Sequence, residues 1–305
     1  MKKFYITTPI YYVNDKPHIG HAYTTIAADV LARYHRLKGE DVFFLTGTDE
    51  HGDKVARSAE KNGKSPLEFC DENSAKFQMA WDVLNITNND FIRTTEERHK
   101  KIVKVLFERL RDARTPLGNV VIYEGEYEGL YCVGCEKYIT EKELDNGKCP
   151  DHQKEPEVIR EKNWFFRLSD YGKVLREKIE SDEIYVFPQE RKNEVLSFID
   201  QGLDDVAISR PSVKWGLPIP WDADQKIYVW IEALMNYLSA IDIDSERGKK
   251  LWPADVHLMA KDIIKFHAVI WPAILLALDL DLPKSISVHG FFTIDGKKMS
   301  KSLGN

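Results

Sequence analysis

The sequence predicts an α/β protein, a parallel sheet whose alternation of strand and helix is interrupted once by an insertion. Three observations carry this. Short apolar runs at residues 4–6 and 41–45 are each followed by a segment with apolar residues at helical spacing. The rhythm stops at Arg114-Thr115-Pro116-Leu117-Gly118 and returns after about Arg210. Between those points three of the four cysteines gather with metal-ligand spacing.

In order, residues 4–6 read as the core of a buried strand, and Pro9 and Pro17 break any helix after it. Residues 22–37 then form an amphipathic helix. Lys16-Pro17-His18-Ile19-Gly20-His21 therefore sits where a strand hands over to a helix. Unpaired backbone N–H groups and the positive end of the helix dipole converge at such a start, Gly20 allows close approach, and imidazole N–H groups reach phosphate oxygens. The stretch reads as a phosphate cradle without a glycine-rich loop, although two histidines so spaced more often cap a helix.

Residues 41–45 form a second buried strand, ending in Thr46-Gly47-Thr48-Asp49-Glu50-His51-Gly52. Ligands bind at such strand ends in parallel sheets. A P-loop is excluded, because Asp53 stands where its lysine is required. Asp49 either pairs with the ammonium of an amino acid or caps the next helix. Ser65-Pro66 opens a helix to about Leu84, with Phe69, Phe77, Trp81 and Leu84 on one face and Cys70 as ordinary core. Residues 91–93 make a short third strand, and Thr94 with Glu97 reads as a capping box for a helix over 95–111. Alternation resumes with strands at 227–230, 257–261 and 286–292. One Rossmann-like sheet is thus built from residues 1–113 and 211–305, split by an inserted connective domain over 114–210.

Within the insertion, Cys132-x2-Cys135 and Cys149-x2-His152 supply three thiolates and one imidazole as two close pairs. Each pair wraps one side of a tetrahedral ion, and four protein ligands leave no position open for a catalytic water. The reading is structural zinc, a folding staple. A nucleic-acid knuckle fits less well, since the flank Tyr123-Glu124-Gly125-Glu126-Tyr127-Glu128 would repel phosphate. Near the end of the chain, Lys298-Met299-Ser300-Lys301-Ser302 follows the turn Asp295-Gly296. Two lysines on a glycine-hinged loop can swing onto a polyphosphate and neutralise charge that grows during phosphoryl or nucleotidyl transfer.

With 305 residues, 43% of them hydrophobic, and a net charge of −6, the chain is globular and lacks the broad basic surface of a protein that coats nucleic acid. No secretory signal follows Lys2 and Lys3. The longest apolar run, residues 268–278, is about half of a bilayer span and contains Pro272. The expectation is a cytoplasmic protein without a membrane partner, in a compartment reducing enough to keep its thiols.

His18-Ile19-Gly20-His21 and Lys298-Met299-Ser300-Lys301-Ser302, in this order near opposite ends, resemble the two signatures of class I aminoacyl-tRNA synthetases. Ile10-Tyr11-Tyr12-Val13-Asn14, Thr48-Asp49-Glu50-His51-Gly52, Tyr228-Val229-Trp230-Ile231-Glu232-Ala233 and Lys261-Asp262-Ile263-Ile264-Lys265-Phe266-His267, with the single knuckle, resemble the methionyl-tRNA synthetases over essentially the whole chain. The resemblance implies ATP-dependent activation of L-methionine to methionyl-adenylate, with Mg²⁺ on the phosphates, then transfer to tRNA(Met). Positioning and charge stabilisation carry such a reaction without a covalent nucleophile.

The resemblance further implies that Ile10, Tyr12, Trp230, Ala233, Tyr237, Ile263, Phe266, His267 and Trp271 form the methionine pocket, with Asp49 on the ammonium. It assigns His18, Gly20 and His21 to ATP, Asp262 to the ribose, and Lys298 and Lys301 to the departing pyrophosphate. It places Arg210 near the substrates. By spacing alone Trp230, Ala233 and Tyr237 would be ordinary helix core, although an aromatic wall also suits a polarisable thioether. Ala260 replaces the glycine usual before Lys-Asp, which crowds the approach to the ribose. Relatives continue past the lysine loop into a helical anticodon-binding domain, expected here to be absent since the sequence ends at Asn305. Weak tRNA recognition by this chain alone follows, with a separate helical anticodon-binding chain as a candidate partner. The alternative reading is a partner-dependent or non-catalytic binding protein derived from such an enzyme.

Overall fold

The computed structural model describes residues 2–139, 141, 144–150, 153–294 and 297–299, with the backbone alone at Ile294, Lys297 and Lys298. The first third runs β1 (Lys3–Thr7), β2 (Tyr11–Tyr12), α1 (Ile19–Leu37), β3 (Asp41–Asp49), α2 (Asp53–Lys61), α3 (Pro66–Val83), β4 (Asp90–Arg93) and α4 (Glu97–Asp112). An antiparallel sheet follows, of β5 (Ile122–Cys132), β6 (Lys137–Ile139), β7 (Glu157–Phe166) and, later, β9 (Val206–Ala207). Between its last two strands come α5 (Gly172–Glu180), β8 (Tyr185–Phe187) and α6 (Gln189–Asp200). A small antiparallel sheet of β10 (Ser209–Arg210), β11 (Pro218–Ile219) and β12 (Asp222–Ile227) leads to α7 (Val229–Leu234), α8 (Asn236–Ser239) and α9 (Glu246–Leu251). The chain returns with β13 (Val256–Ala260), α10 (Trp271–Ala277), β14 (Ser285–His289) and a hairpin of β15 (Thr293–Ile294) and β16 (Lys297–Lys298).

The main sheet is parallel throughout. β1 pairs with β3 from Lys3↔Asp41 to Thr7↔Leu45, β4 lies on β3, β13 on β1, and β14 on β13. Side chains of its central strands alternate between two buried faces. Phe4, Ile6, Val42 and Phe44 pack on Ala28 and Ala32 of α1, where small residues let the helix sit close. Tyr5, Phe43 and Leu45 point the other way, into the main core with Ile92, Leu106 and Trp271. A sheet covered on both faces explains why these strands read as unbroken apolar runs.

β3 and β4 meet at Gly47, where a Cβ would lie 2.0 Å from the Ile92 carbonyl oxygen. Backbone cannot yield cheaply there. Gly47→Ala is expected to cost about 1–3 kcal/mol, measured as a lowered urea midpoint; an unchanged midpoint would show that the two strands can part at no cost.

Three expectations give way. The 114–210 stretch is not one unit, since β8 pairs in parallel with β14 and so joins the main sheet. A three-residue edge strand with Tyr185 and Phe187 exposed has too little alternation to be read from sequence. Residues 227–230 are not a main-sheet strand, because β12 ends at Ile227 and α7 begins at Val229. A short apolar run does not distinguish a strand from a buried helix. Thr94 does not cap α4, which starts at Glu97 with Glu96 before it; its hydroxyl instead accepts the Glu50 N–H at 3.0 Å. Among the described residues no helix is long and apolar enough to cross a membrane.

Candidate active site

The C-terminal ends of β1, β3, β13 and β14 open toward the start of α1. His18 caps that helix, its Nδ1 accepting the Gly20 N–H at 3.2 Å, while His21 Nδ1 accepts the His18 N–H at 3.1 Å. Each Nδ1 lone pair is committed to backbone, so each neutral ring carries its proton on Nε2. Capping and phosphate recognition are therefore compatible. The amides expected to be open at this start are partly used, however, because His21 and Ala22 donate to the His18 carbonyl as well. An N–H on Nε2 is the ring group that suits an anion's oxygen at this helix start. Thr24 Oγ1 lies 2.7 Å from His289 Nε2 and ties the end of β14 to α1. Asp262, exposed after β13, is near enough to His289 to act on its charge. Ala260 has φ −80°, an extended conformation that alanine adopts without strain.

Asp49 ends β3 in register with Tyr12 of β2. It is 3% exposed, and both its Oδ1 and the Tyr12 hydroxyl are buried without a hydrogen-bond partner. Burial, then the carboxylates of Glu232, Glu136 and Glu50, push Asp49 well above the ordinary carboxylate range. A bound cation would relieve both the desolvation and the repulsion.

Aromatic rings stand beside this acid. Trp230 stacks on Phe266 with centroids 4.4 Å apart, and the Tyr12 ring meets Trp230 edge-on at 6.0 Å. The Tyr237 hydroxyl bonds His267 Nε2 at 2.7 Å, and His267 Nδ1 donates to the Ile263 carbonyl at 3.1 Å. Burial lowers the His267 pKa to about 4, so the ring is neutral at pH 7 and accepts from Tyr237. Ile10, Tyr12, Trp230, Tyr237, Ile263, Phe266 and Trp271 share one apolar cluster, and Ala233 is buried in α7. Direct contacts join Tyr12 to Trp230 and Trp230 to Phe266, and join Tyr237 to His267 and to Trp271.

Several residues given no role from the sequence hold this place together. Glu50, fully buried, takes a two-pronged bond from Arg93 at 2.7 and 2.9 Å. His51 Nδ1 lies 2.5 Å from Glu232 Oε1, with His99 Nε2 3.6 Å from the same oxygen. The available signal was a lone carboxylate inside the apolar run Trp230-Ile231-Glu232-Ala233-Leu234. Arg210, which the resemblance places near the substrates, is buried in β10, paired with Glu161 at 2.8 Å and lying 3.9 Å over the Tyr131 ring.

The sulfurs of Cys132, Cys135 and Cys149 lie within 4.8 Å of one another, and those of Cys135 and Cys149 are 3.5 Å apart. Tetrahedral zinc–thiolate bonds of about 2.3 Å put sulfurs roughly 3.8 Å apart, so the three thiols fit a metal ion. His152, Lys301 and the Lys298 side chain lie outside the described residues.

A parallel sheet with histidines at the start of its first helix, an acid at a strand end and a thiol-bearing insertion defines a class I synthetase nucleotide-binding fold. The family model described as tRNA synthetases class I (M) matches residues 4–157 and 142–305, and the chain belongs to that family. It is 49% identical over 309 residues to a methionine-tRNA ligase of Thermotoga maritima, covering 99% of this chain and 48% of that protein. To a methionine-tRNA ligase of Nostoc sp. it is 50% identical over 313 residues, covering 100% of this chain and 58% of the other. The solved structure of Mycobacterium tuberculosis methionyl-tRNA synthetase in complex with methionyl-adenylate matches with a TM-score of 0.93 at 43% identity, covering 100% of this chain and 60% of that one. The chain spans about half the length of the curated relatives it matches.

Proposed function

We propose that the chain activates L-methionine with ATP to methionyl-adenylate and transfers the methionyl group to tRNA(Met). The observation that carries this is the unpartnered, buried Oδ1 of Asp49 beside the wall of Trp230, Phe266 and Tyr12. Likeness to a structure holding methionyl-adenylate supports it. The ammonium rests on Asp49, and the thioether packs among Trp230, Tyr237, Phe266, His267 and Trp271, where its polarisable sulfur suits ring edges. Ile10, Ala233 and Ile263 close the apolar sides.

In the first step a methionine carboxylate oxygen bonds to the α-phosphorus of ATP as the bond to the departing pyrophosphate breaks. No proton need move. The Nε2–H groups of His18 and His21 donate to phosphate oxygens beside Gly20, Asp262 holds the ribose, and Lys298 and Lys301 follow the charge onto pyrophosphate. Mg²⁺, arriving with ATP, would supply charge neutralisation on the phosphates. Cys132, Cys135 and Cys149, with His152 by resemblance, would hold Zn²⁺ as a cross-link of the insertion. We place the protein in the cytoplasm, in keeping with the bacterial relatives that it resembles. A separate helical anticodon-binding chain remains a proposed partner, tested by charging tRNA(Met) with and without one supplied.

The central test is exchange of labelled pyrophosphate into ATP. Methionine should drive it, and leucine and isoleucine should not. Exchange driven equally by leucine, or none at all from folded, zinc-loaded protein, would reject the proposal.

A further inference from the structure

The turn from β5 to β6 carries Cys132 and Cys135 and ends on Glu136, a non-glycine residue at φ +52°. Four hydrogen bonds run from this turn into the amino-acid site. Trp230 Nε1 donates to the Cys135 carbonyl at 3.2 Å, and the Tyr228 hydroxyl donates to the Glu136 carbonyl at 2.7 Å. Lys54 Nζ donates to the Gly134 carbonyl at 2.7 Å, and the Lys54 backbone N–H donates to Glu136 Oε1. The other carboxylate oxygen of Glu136 accepts from the Tyr131 hydroxyl.

These contacts leave little slack. Glu136 is 1% exposed, and a Cβ added at Gly52 would lie 3.0 Å from its Oε1. Lys54 stands in the first turn of α2, directly after the strand end that carries Asp49, with its ammonium 5.9 Å from the centre of the Tyr12 ring. Trp230 is the ring stacked on Phe266. A metal on Cys132, Cys135 and Cys149 would fix the spacing of the turn and therefore the direction of three carbonyls. Those carbonyls orient Trp230, Tyr228 and Lys54, two of which flank the proposed methionine pocket.

We infer that Glu136 is a positioning residue coupling the thiol site to the amino-acid site, so that metal in the knuckle strengthens methionine binding and bound methionine retains the metal. The inference rests on the methionine reading above. Linkage makes the coupling reciprocal, so one factor governs both affinities, ordinarily about 5–150-fold. Glu136→Gln should weaken it, because a glutamine offers one acceptor oxygen to two donors, Lys54 N–H and Tyr131 O–H.

The test follows zinc release from the zinc-loaded protein into excess chelator, read by a zinc-sensitive dye, without amino acid and with saturating methionine or leucine. Calorimetry measures methionine affinity before and after metal removal. Methionine alone should slow release by at least about 5-fold, and the stripped protein should bind methionine more weakly by a comparable factor. Glu136→Gln should keep one zinc per chain yet lose most of the methionine effect. Binding of methionine with unchanged zinc release would overturn the coupling, and full coupling in Glu136→Gln would overturn the role of that side chain. If the variant does not fold, the wild-type measurements still decide the coupling. Absence of methionine binding to zinc-loaded protein would instead reject the functional reading on which the coupling rests.

Discussion

Asp49→Asn is expected to give a protein that is more stable and far less active. The carboxylate is buried, one oxygen has no partner, and Glu232, Glu136 and Glu50 all oppose its charge. Folding gains nothing from ionising it. Asparagine keeps the shape and removes the charge, so a stability gain of about 1–2 kcal/mol is expected at neutral pH. The sign follows from linkage. Between the ordinary carboxylate range and the raised value in the folded state, the unfolded chain releases this proton and the folded chain keeps it, so wild-type stability falls as pH rises through that window. The variant should lack that loss, and its advantage should be larger at pH 7 than at pH 4. Methionine binding should move oppositely, because the ammonium loses its counter-charge in a buried site. A cost of about 3–4 kcal/mol, on the order of 10²- to 10³-fold in affinity and in pyrophosphate exchange, is expected. Urea midpoints and calorimetry read the two effects separately; a variant that is destabilised, or binds methionine almost normally, removes Asp49 from the ammonium role.

Glu232→Gln should act in the opposite sense on stability. Burial disfavours this charge, but the His51 and His99 imidazoles outweigh burial and hold the carboxyl at about 2, against an ordinary glutamate value of 4.5. Its stabilisation is complete above pH 4.5 and is lost as pH falls toward 2. At neutral pH the variant should lose on the order of 3 kcal/mol. Wild-type stability should decline steeply across that acid window and the variant's more gently. Parallel pH–stability curves for the two proteins would contradict this account of the His51–Glu232–His99 cluster.

These two acids also show what the sequence can disclose. Asp49 follows an apolar strand at a place where ligands commonly bind, so position marks it as a candidate, with a helix cap as the other reading. Glu232 owes its character to His51, 181 residues away, and no local pattern announces that contact. The same division holds for the fold. α1 is long and periodic enough for its end at Leu37 to be read, as is the start of α3, which Ser65 caps by accepting the Glu68 N–H, whereas β3 runs four residues past its apolar stretch to Asp49. β8 is too short to show a period, and its place beside β14 is decided by tertiary pairing. Thr94 had the spacing of a capping box, yet the buried N–H of Glu50 claims its oxygen.

The centre of the main sheet joins distant parts of the chain, since Thr7 of β1 pairs with His257 of β13, 250 residues later. A ribosome delivers β1 and β3 early, and these can pair while synthesis continues. The other edge of β1 must wait for Val256–Ala260. Throughout that interval it presents unpaired N–H and C=O groups beside Phe4, Tyr5 and Ile6, a template for pairing with a foreign strand. The inserted residues therefore lengthen the period in which the nascent chain is exposed to misassembly, and conditions that slow elongation should tax its folding more than its finished stability.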